Sequence, residues 1–538
     1  MSLRSENLSK LRDQTFDVIV VGGGINGAVS AAALSAKGIN VALVDKGDFA
    51  SMSSSASSNL AWGGIKYLES HEYRLVNKLC QSRNDLMRAY PSTVKEIRFL
   101  TTIEKGFRFP PWFIYLGSCV YWCFGRFFTQ APKYLTPKCL KQREDIIDTS
   151  HAVGGVEYSD AYLFDNDARF VFNFIRGAMD KGCIAINYLN AIKVERVSEG
   201  DDAYWNLSLR DEISGETFQS KSNVLINAGG PLLDRFNQTL GINTEYQHLL
   251  SKGVHLIVDK ISGNEKVLAF FASDGRLFFV IPMGRKTCIG TTDTRTDNPN
   301  EKVTDEDRQF ILDNVNRVLC LEKNLIQTDI IAERCGVRPL AVKGGNHSDD
   351  WLHLSRKHVL ETHQALQAIS IFGGKLTDCI NVGEEVAQEV SKMGVELKDV
   401  KGKWYGEPEV EEKLRFYRAA ESINLDEMTW PEASEPLSQR YWRRYGMHAF
   451  DFLEKIRTDR SEADLLIENA EYTRCEIEYA RDHEMITKLE DFLRRRSKIE
   501  MVLSKEEILA AKGLDQVCNI LFGEAAKAKL EEYKNTNT

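Results

Sequence analysis

Phe16-Asp17-Val18-Ile19-Val20-Val21-Gly22-Gly23-Gly24-Ile25-Asn26-Gly27-Ala28 opens the stretch that decides the fold, and it runs on to Asp45. The apolar, β-branched start reads as a buried strand. Gly22, Gly24 and Gly27 follow in G-x-G-x-x-G spacing. A small-residue helix comes next, with Ala28, Ala31, Ala32, Ala33 and Leu34, and Gly38 ends it. Val41-Ala42-Leu43-Val44 is a second strand with Asp45 at its tip. A strand–helix–strand unit of about 30 residues with a terminal acid is the context a dinucleotide fingerprint requires. Gly22 permits the turn out of the strand, Gly24 lets backbone approach a pyrophosphate, and Gly27 lets the helix lie close to the sheet. The open N–H groups of the helix start favour phosphate. Asp45 can accept from ribose hydroxyls.

Length and charge narrow the field. At 538 residues the chain holds two or three domains. A net charge of −9 argues against nucleic acid as a partner. Eleven cysteines are scattered without a C-x-x-C pair. A reduced, cytoplasmic setting with no metal site is expected. The strand at Phe16 leaves no room for a cleaved signal peptide.

Ser53-Ser54-Ser55-Ala56-Ser57-Ser58-Asn59-Leu60-Ala61-Trp62-Gly63-Gly64-Ile65-Lys66-Tyr67-Leu68-Glu69 follows the fingerprint. Its hydroxyls can donate to phosphate oxygens, and Gly63 and Gly64 leave room for a flat ring against backbone. Further on, Asn227-Ala228-Gly229-Gly230-Pro231 ends a strand in a glycine turn. Lys252-Gly253-Val254-His255 sets one imidazole at the head of an apolar strand. Ile289-Gly290-Thr291-Thr292-Asp293, Gly336-Val337-Arg338-Pro339-Leu340 and Ser355-Arg356-Lys357-His358 come later. Arg338, before a proline, projects stiffly and offers a planar fork to phosphate or carboxylate. Phe372-Gly373-Gly374-Lys375-Leu376-Thr377 repeats the pattern of strand, glycine pair and helix start.

This order of motifs, across nearly the whole chain, resembles the FAD-dependent glycerol-3-phosphate dehydrogenases and oxidases. They belong to the flavin oxidoreductase class that also holds D-amino acid oxidase. The resemblance implies an α/β FAD-binding, Rossmann-like domain with a mixed-sheet substrate domain and a C-terminal all-α domain. The expected boundaries are 1–100, 150–235 and 335–400 for the FAD domain. Residues 101–149 and 236–334 are assigned to the substrate domain, and 401–538 to the helical one. It implies cofactor contacts from Gly22, Gly24, Asn26, Gly27, Asp45, Ser54, Ser55, Ser58, Gly63, Gly64, Ala228, Gly229, Gly373, Gly374, Lys375, Leu376 and Thr377. His255, as proton acceptor, with Arg338 and Lys375 forms the catalytic set. Lys66, Tyr67, Arg338 and Arg356 hold substrate. The implied reaction oxidises sn-glycerol 3-phosphate to dihydroxyacetone phosphate, by hydride transfer to flavin N5, with electrons passed to a membrane quinone.

Three positions depart from the family: Asn59 stands where it usually has Lys, Trp62 where it has His, and Lys66 where it has Arg. Asp378-Cys379 also replaces Thr-Tyr. These keep open a related flavin oxidase or dehydrogenase for another hydroxy acid, secondary alcohol or amine, with oxygen as acceptor. A non-catalytic flavin-binding protein is the third option.

Residues 107–128, FRFPPWFIYLGSCVYWCFGRFF, are aromatic and apolar between Arg108 and Arg126. Such a run is too short to span a bilayer but suits an in-plane membrane segment; a buried core helix pair is the alternative. Peripheral attachment at the inner face of the cell membrane is expected. The oligomeric state is left open, a homodimer included. Beyond a linker at Lys403–Pro408 the chain is charged and helical. Arg494, Arg495 and Arg496 read there as a solvated face.

Overall fold

The computed structural model describes residues 2–199, 202–272, 275–344 and 357–536. Thr15–Val21 lies at the middle of a mostly parallel sheet. It pairs in parallel with Thr217–Asn227 on one side and Val41–Val44 on the other. Ala368–Phe372 extends the sheet beside Thr217–Asn227, and Ile184–Ile186 extends it beside Val41–Val44. The side chains alternate as a two-residue period requires. Val18, Val20, Val41 and Leu43 face a core shared with the helices Ile25–Ala36, Asp167–Met179 and Cys379–Lys392, whereas Ile19, Ala42 and Val44 join the core on the opposite face. Strands buried on both faces explain the unbroken apolar runs in the sequence.

A second, ten-stranded sheet is mixed. Its centre is the antiparallel run of Tyr246–Asp259, Lys286–Gly290, Leu277–Met283 and Lys266–Phe271. Ala332–Lys343 pairs along the outer edge of Tyr246–Asp259 over twelve positions. Val94–Glu104, Ala152–Leu163, Ala332–Lys343 and the short Leu60–Ala61 all belong here. The expected boundaries put Ala152–Leu163 and Leu60–Ala61 wholly, and Val94–Glu104 and Ala332–Lys343 partly, in the FAD domain. The reason is pairing: Val94–Glu104 and Ala152–Leu163 form one long antiparallel ladder, and the second sheet takes both.

Helices from Val410 to Asn535 build two further cores. The expected linker is packed rather than loose. Trp404 is buried, donates from Nε1 to Glu384 Oε1 at 2.5 Å and lies 5.9 Å from the Phe174 ring. Nor are the arginines after Leu493 a solvated face. Arg495 and Arg496 are buried and both meet Asp48, which follows the fingerprint. Although burial alone would raise its pKa, Arg496 and Arg495 hold Asp48 down at about 2. Arg443 and Arg444 similarly share Asp165, and Arg169 pairs with Glu484. Buried ion pairs thus hold the helical part to Asp48, to Asp165 and to the helix Asp167–Met179.

Candidate active site

The fingerprint glycines are fixed by close approach. Gly22 has φ +108°, and a Cβ there would meet Ala228 O at 2.5 Å; one on Gly27 would lie 1.8 Å from Gly22 O. The helix Ile25–Ala36 starts at Gly24 without a side-chain cap, and Ile25 N–H donates to Ser54 Oγ at 3.0 Å. Asn26 Nδ2 donates to Gly373 O at 3.0 Å, which ties the first glycine turn to the last. Asp45 accepts from Gly23 N–H and Gly47 N–H at 2.6 and 2.8 Å. Burial still pushes its pKa up to about 6 against those two amides.

A cleft of about 750 Å³ runs over this surface. Gly22, Gly24, Asn26, Asp45, Ser54, Ala228, Gly229, Gly373 and Gly374 line it. Ser55 instead turns back to Met52 O, and Gly27 serves helix packing. The cradle fits FAD: glycines stand where side chains would fill the approach to a helix start, and an acid stands at the second strand tip.

The second sheet carries the other half of the site. Phe279 pairs with Gly290, Gly290 with His255 and His255 with Arg334. These four residues therefore form one row on one face of adjacent strands. Gly290 is required there, since a Cβ would fall 2.9 Å from His255 Cδ2. His255 is buried, and neither ring nitrogen has a hydrogen-bond partner among the described residues. Burial first, then the cations of Arg338 and Arg334, hold its pKa well below the ordinary imidazole value.

Arg338 pairs across to Ser251, one glycine pair along the same ladder. Its guanidinium lies over Gly253, where a Cβ would be 2.2 Å away. Nη2 donates to Thr291 Oγ1 at 2.9 Å, and Asp293 Oδ1 is 3.5 Å from Nη1.

The loop after the fingerprint covers this row. Trp62 lies 6.4 Å from the Phe279 ring and 6.0 Å from Tyr67. Lys375 Nζ sits 4.3 Å over the Tyr67 ring and 5.6 Å over Trp62, buried and without a hydrogen-bond partner among the described residues. Thr377 Oγ1 donates to Trp62 O at 3.3 Å. Gly63 N–H donates to the buried Asp160, and Gly64 takes φ +78° against the Tyr67 ring. Leu376 begins the short turn leading to the helix Cys379–Lys392. Lys66 and Ser58 are half-buried on the same loop. Arg356 lies outside the described residues.

Asn59 faces away from a substrate role. It is buried, with Nδ2 on Asp165 O and Oδ1 accepting from Arg334. Arg334 escaped the sequence reading, although its four-residue spacing from Arg338 puts both on one strand face.

Pro339, which follows Arg338 in the second sheet, lines the same cleft, and a glycine-lined cradle of this kind suits a flavin-dependent oxidoreductase. The chain belongs to the FAD dependent oxidoreductase family, which matches residues 17–360, and residues 402–526 match the C-terminal domain of alpha-glycerophosphate oxidase. Within it the chain falls with the glycerol-3-phosphate dehydrogenases and oxidases. It is 30% identical to glycerol-3-phosphate dehydrogenase of Pseudomonas tolaasii, over 92% of this chain and 94% of that one. It is 28% identical to aerobic glycerol-3-phosphate dehydrogenase of Escherichia coli K12, over 92% and 96%. The solved glycerol-3-phosphate dehydrogenase of Bacillus halodurans complexed with FAD has the same fold, with a TM-score of 0.72 at 22% identity over 99% and 97% of the two chains.

Proposed function

We propose that the protein oxidises sn-glycerol 3-phosphate to dihydroxyacetone phosphate and passes the electrons to a membrane quinone. The observation that carries this reading is the unpartnered, neutral His255 in the same ladder as Arg338. A neutral imidazole can take the C2 hydroxyl proton as the carbonyl forms. Arg338, with Lys66 and Arg356, would hold the phosphate; Arg338 is already oriented by Thr291 and Asp293. Lys375 and Tyr67 close the site from above, and a buried ammonium there favours developing negative charge. FAD, when bound, would supply the two-electron acceptor for the hydride leaving C2.

Quinone and lipid access are supported by the helix Pro111–Phe124. Trp112 and Leu116 are 61% and 53% exposed, and Phe113, Val120 and Phe127 are exposed beside them. No helix among the described residues is long and apolar enough to cross a membrane. An apolar ridge flanked by Arg108 and Arg126 suits peripheral attachment at the inner face of the membrane.

Trp62 favours a second reading. With Tyr67 and Phe279 it makes an aromatic wall that suits another hydroxy acid, secondary alcohol or amine, with oxygen as acceptor. Anaerobic addition of glycerol 3-phosphate decides between them. Bleaching of the bound flavin's visible absorbance supports the first reading. An unchanged spectrum, with bleaching by a hydroxy acid or amine, sinks it. Peroxide released with turnover would move the acceptor from quinone to oxygen.

A further inference from the structure

Arg334 is 1% exposed. Arg83, Arg440, Arg444 and Arg496 are buried as deeply, and each pairs with a carboxylate. Among the described residues no carboxylate pairs with Arg334. Its Nη1 donates to Ser57 O at 2.7 Å and to Asn59 Oδ1 at 2.8 Å, and its Nε points at Met501 Sδ at 3.3 Å. A buried charge without a counter-ion is costly, so neutral acceptors must hold it. Those acceptors come from two distant parts of the chain. Ser57 and Asn59 lie in the loop that covers the site, and Met501 lies in the helix Ile499–Val502. The neighbouring Arg494 donates from Nη2 to Glu333 O, so the C-terminal helices grip this strand twice. Across the ladder the residue paired with Arg334 is His255.

We propose that Arg334 is a positioning residue of the active site: it ties the covering loop and the C-terminal helices to the strand that carries Arg338, and it sets a fixed positive charge beside His255. Arg334 brings a cation to the Asn59 side chain from the strand Ala332–Lys343. The inference rests on His255 as proton acceptor. The charged groups acting on His255 are Arg338 and Arg334, with Asp293 behind Arg338. On its own strand Lys252 is paired off with Asp307 at 2.6 Å. The facing strand offers Gly290 at the pairing position and the buried Cys288 beyond it. Lys375 is the cation on the covering side.

The test compares full-length, FAD-loaded wild type with H255N, R334K, R334M and the pair N59K/R334M. Two quantities are read: the pH profile of kcat/KM for glycerol 3-phosphate, and the FAD dissociation constant from flavin fluorescence. Removing a neighbouring cation makes His255 easier to protonate. R334M therefore moves the acid limb to higher pH, by roughly half a unit or more. It also weakens FAD binding about tenfold, because the covering loop loses two charge-assisted hydrogen bonds. R334K and N59K/R334M return a cation and bring the limb back toward wild type. If R334M fails to hold FAD, R334Q and N59K/R334M carry the same comparison. A uniform loss of activity in R334M with the limb unmoved, while H255N is inactive but flavin-loaded, overturns the inference alone. Full turnover in H255N overturns the reading of His255, and the inference with it.

Discussion

Replacing Asp48 by Asn should loosen the helical domain from the FAD domain. Asp48 accepts from Arg495 Nε at 2.6 Å, from Arg496 Nη1 and Nη2 at 2.8 Å each, and from Asn187 Nδ2 at 2.8 Å. An asparagine can accept at one oxygen only, and its NH₂ would point at other donors. Arg495 keeps Glu490 and Asp491, but Arg496 loses its carboxylate and keeps only the Glu484 carbonyl and the Phe172 ring. Stranding one partner of a buried pair costs about 3–5 kcal/mol. For a unit the size of the helical domain this is a fall in melting temperature on the order of 10 °C. Scanning calorimetry of the holoprotein measures it, and limited trypsin digestion near Trp404 reports the released domain. The pH dependence has a definite sign. The folded pKa of Asp48 is held at about 2, against an ordinary value of 3.8. Its stabilisation is therefore fully present above about pH 4 and is lost as pH falls through about 2, a difference of roughly 2 kcal/mol. The gap between wild type and D48N should stay constant at neutral pH and narrow only in strong acid. An unchanged melting temperature and digestion pattern for D48N would refute the reasoning.

Gly27→Ala should abolish FAD retention on gel filtration, because the new Cβ meets a backbone oxygen at 1.8 Å that no rotamer change can relieve. Arg338→Lys should raise the KM for glycerol 3-phosphate by about tenfold or more, since an ammonium cannot make the forked contact; an equal KM would remove Arg338 from the phosphate site. Because burial and two arginines keep His255 neutral, wild-type kcat/KM should show no acid limb near pH 6.5, the ordinary histidine value; a limb there would argue against it. Trp112→Ser with Leu116→Ser should shift the protein from the floating to the soluble fraction in liposome flotation, each exposed anchor contributing about 1.5–3 kcal/mol when buried in lipid; unchanged flotation removes the membrane reading.

The cofactor half was legible because its physics is local. Phe16 to Asp45 carries strand period, glycine spacing and terminal acid within one short stretch, and the structure has the strands and helix there. What the sequence hid depends on partners far along the chain. Arg495 and Arg496 read as solvated because Asp48 lies 447 and 448 residues away. Arg334 lies outside the motif around Arg338, and only the fold brings it to Asn59, 275 residues away. Chain order assigns residues 94–100 and the strand Ala152–Leu163 to the FAD domain, whereas the pairing of Val94–Glu104 with Ala152–Leu163 takes both strands to the second sheet.

The bond from Asn26 Nδ2 to Gly373 O spans 347 residues. Its consequence falls on synthesis. A nascent chain carries Asn26 through 347 further residues of synthesis before Gly373, at the end of the strand Ala368–Phe372, is made. During that interval the growing protein owns half a cofactor site, with Leu225, Ile226 and Asn227 lacking their strand partner on that side. Free FAD can therefore meet a completed cradle only once that strand has been made and has paired.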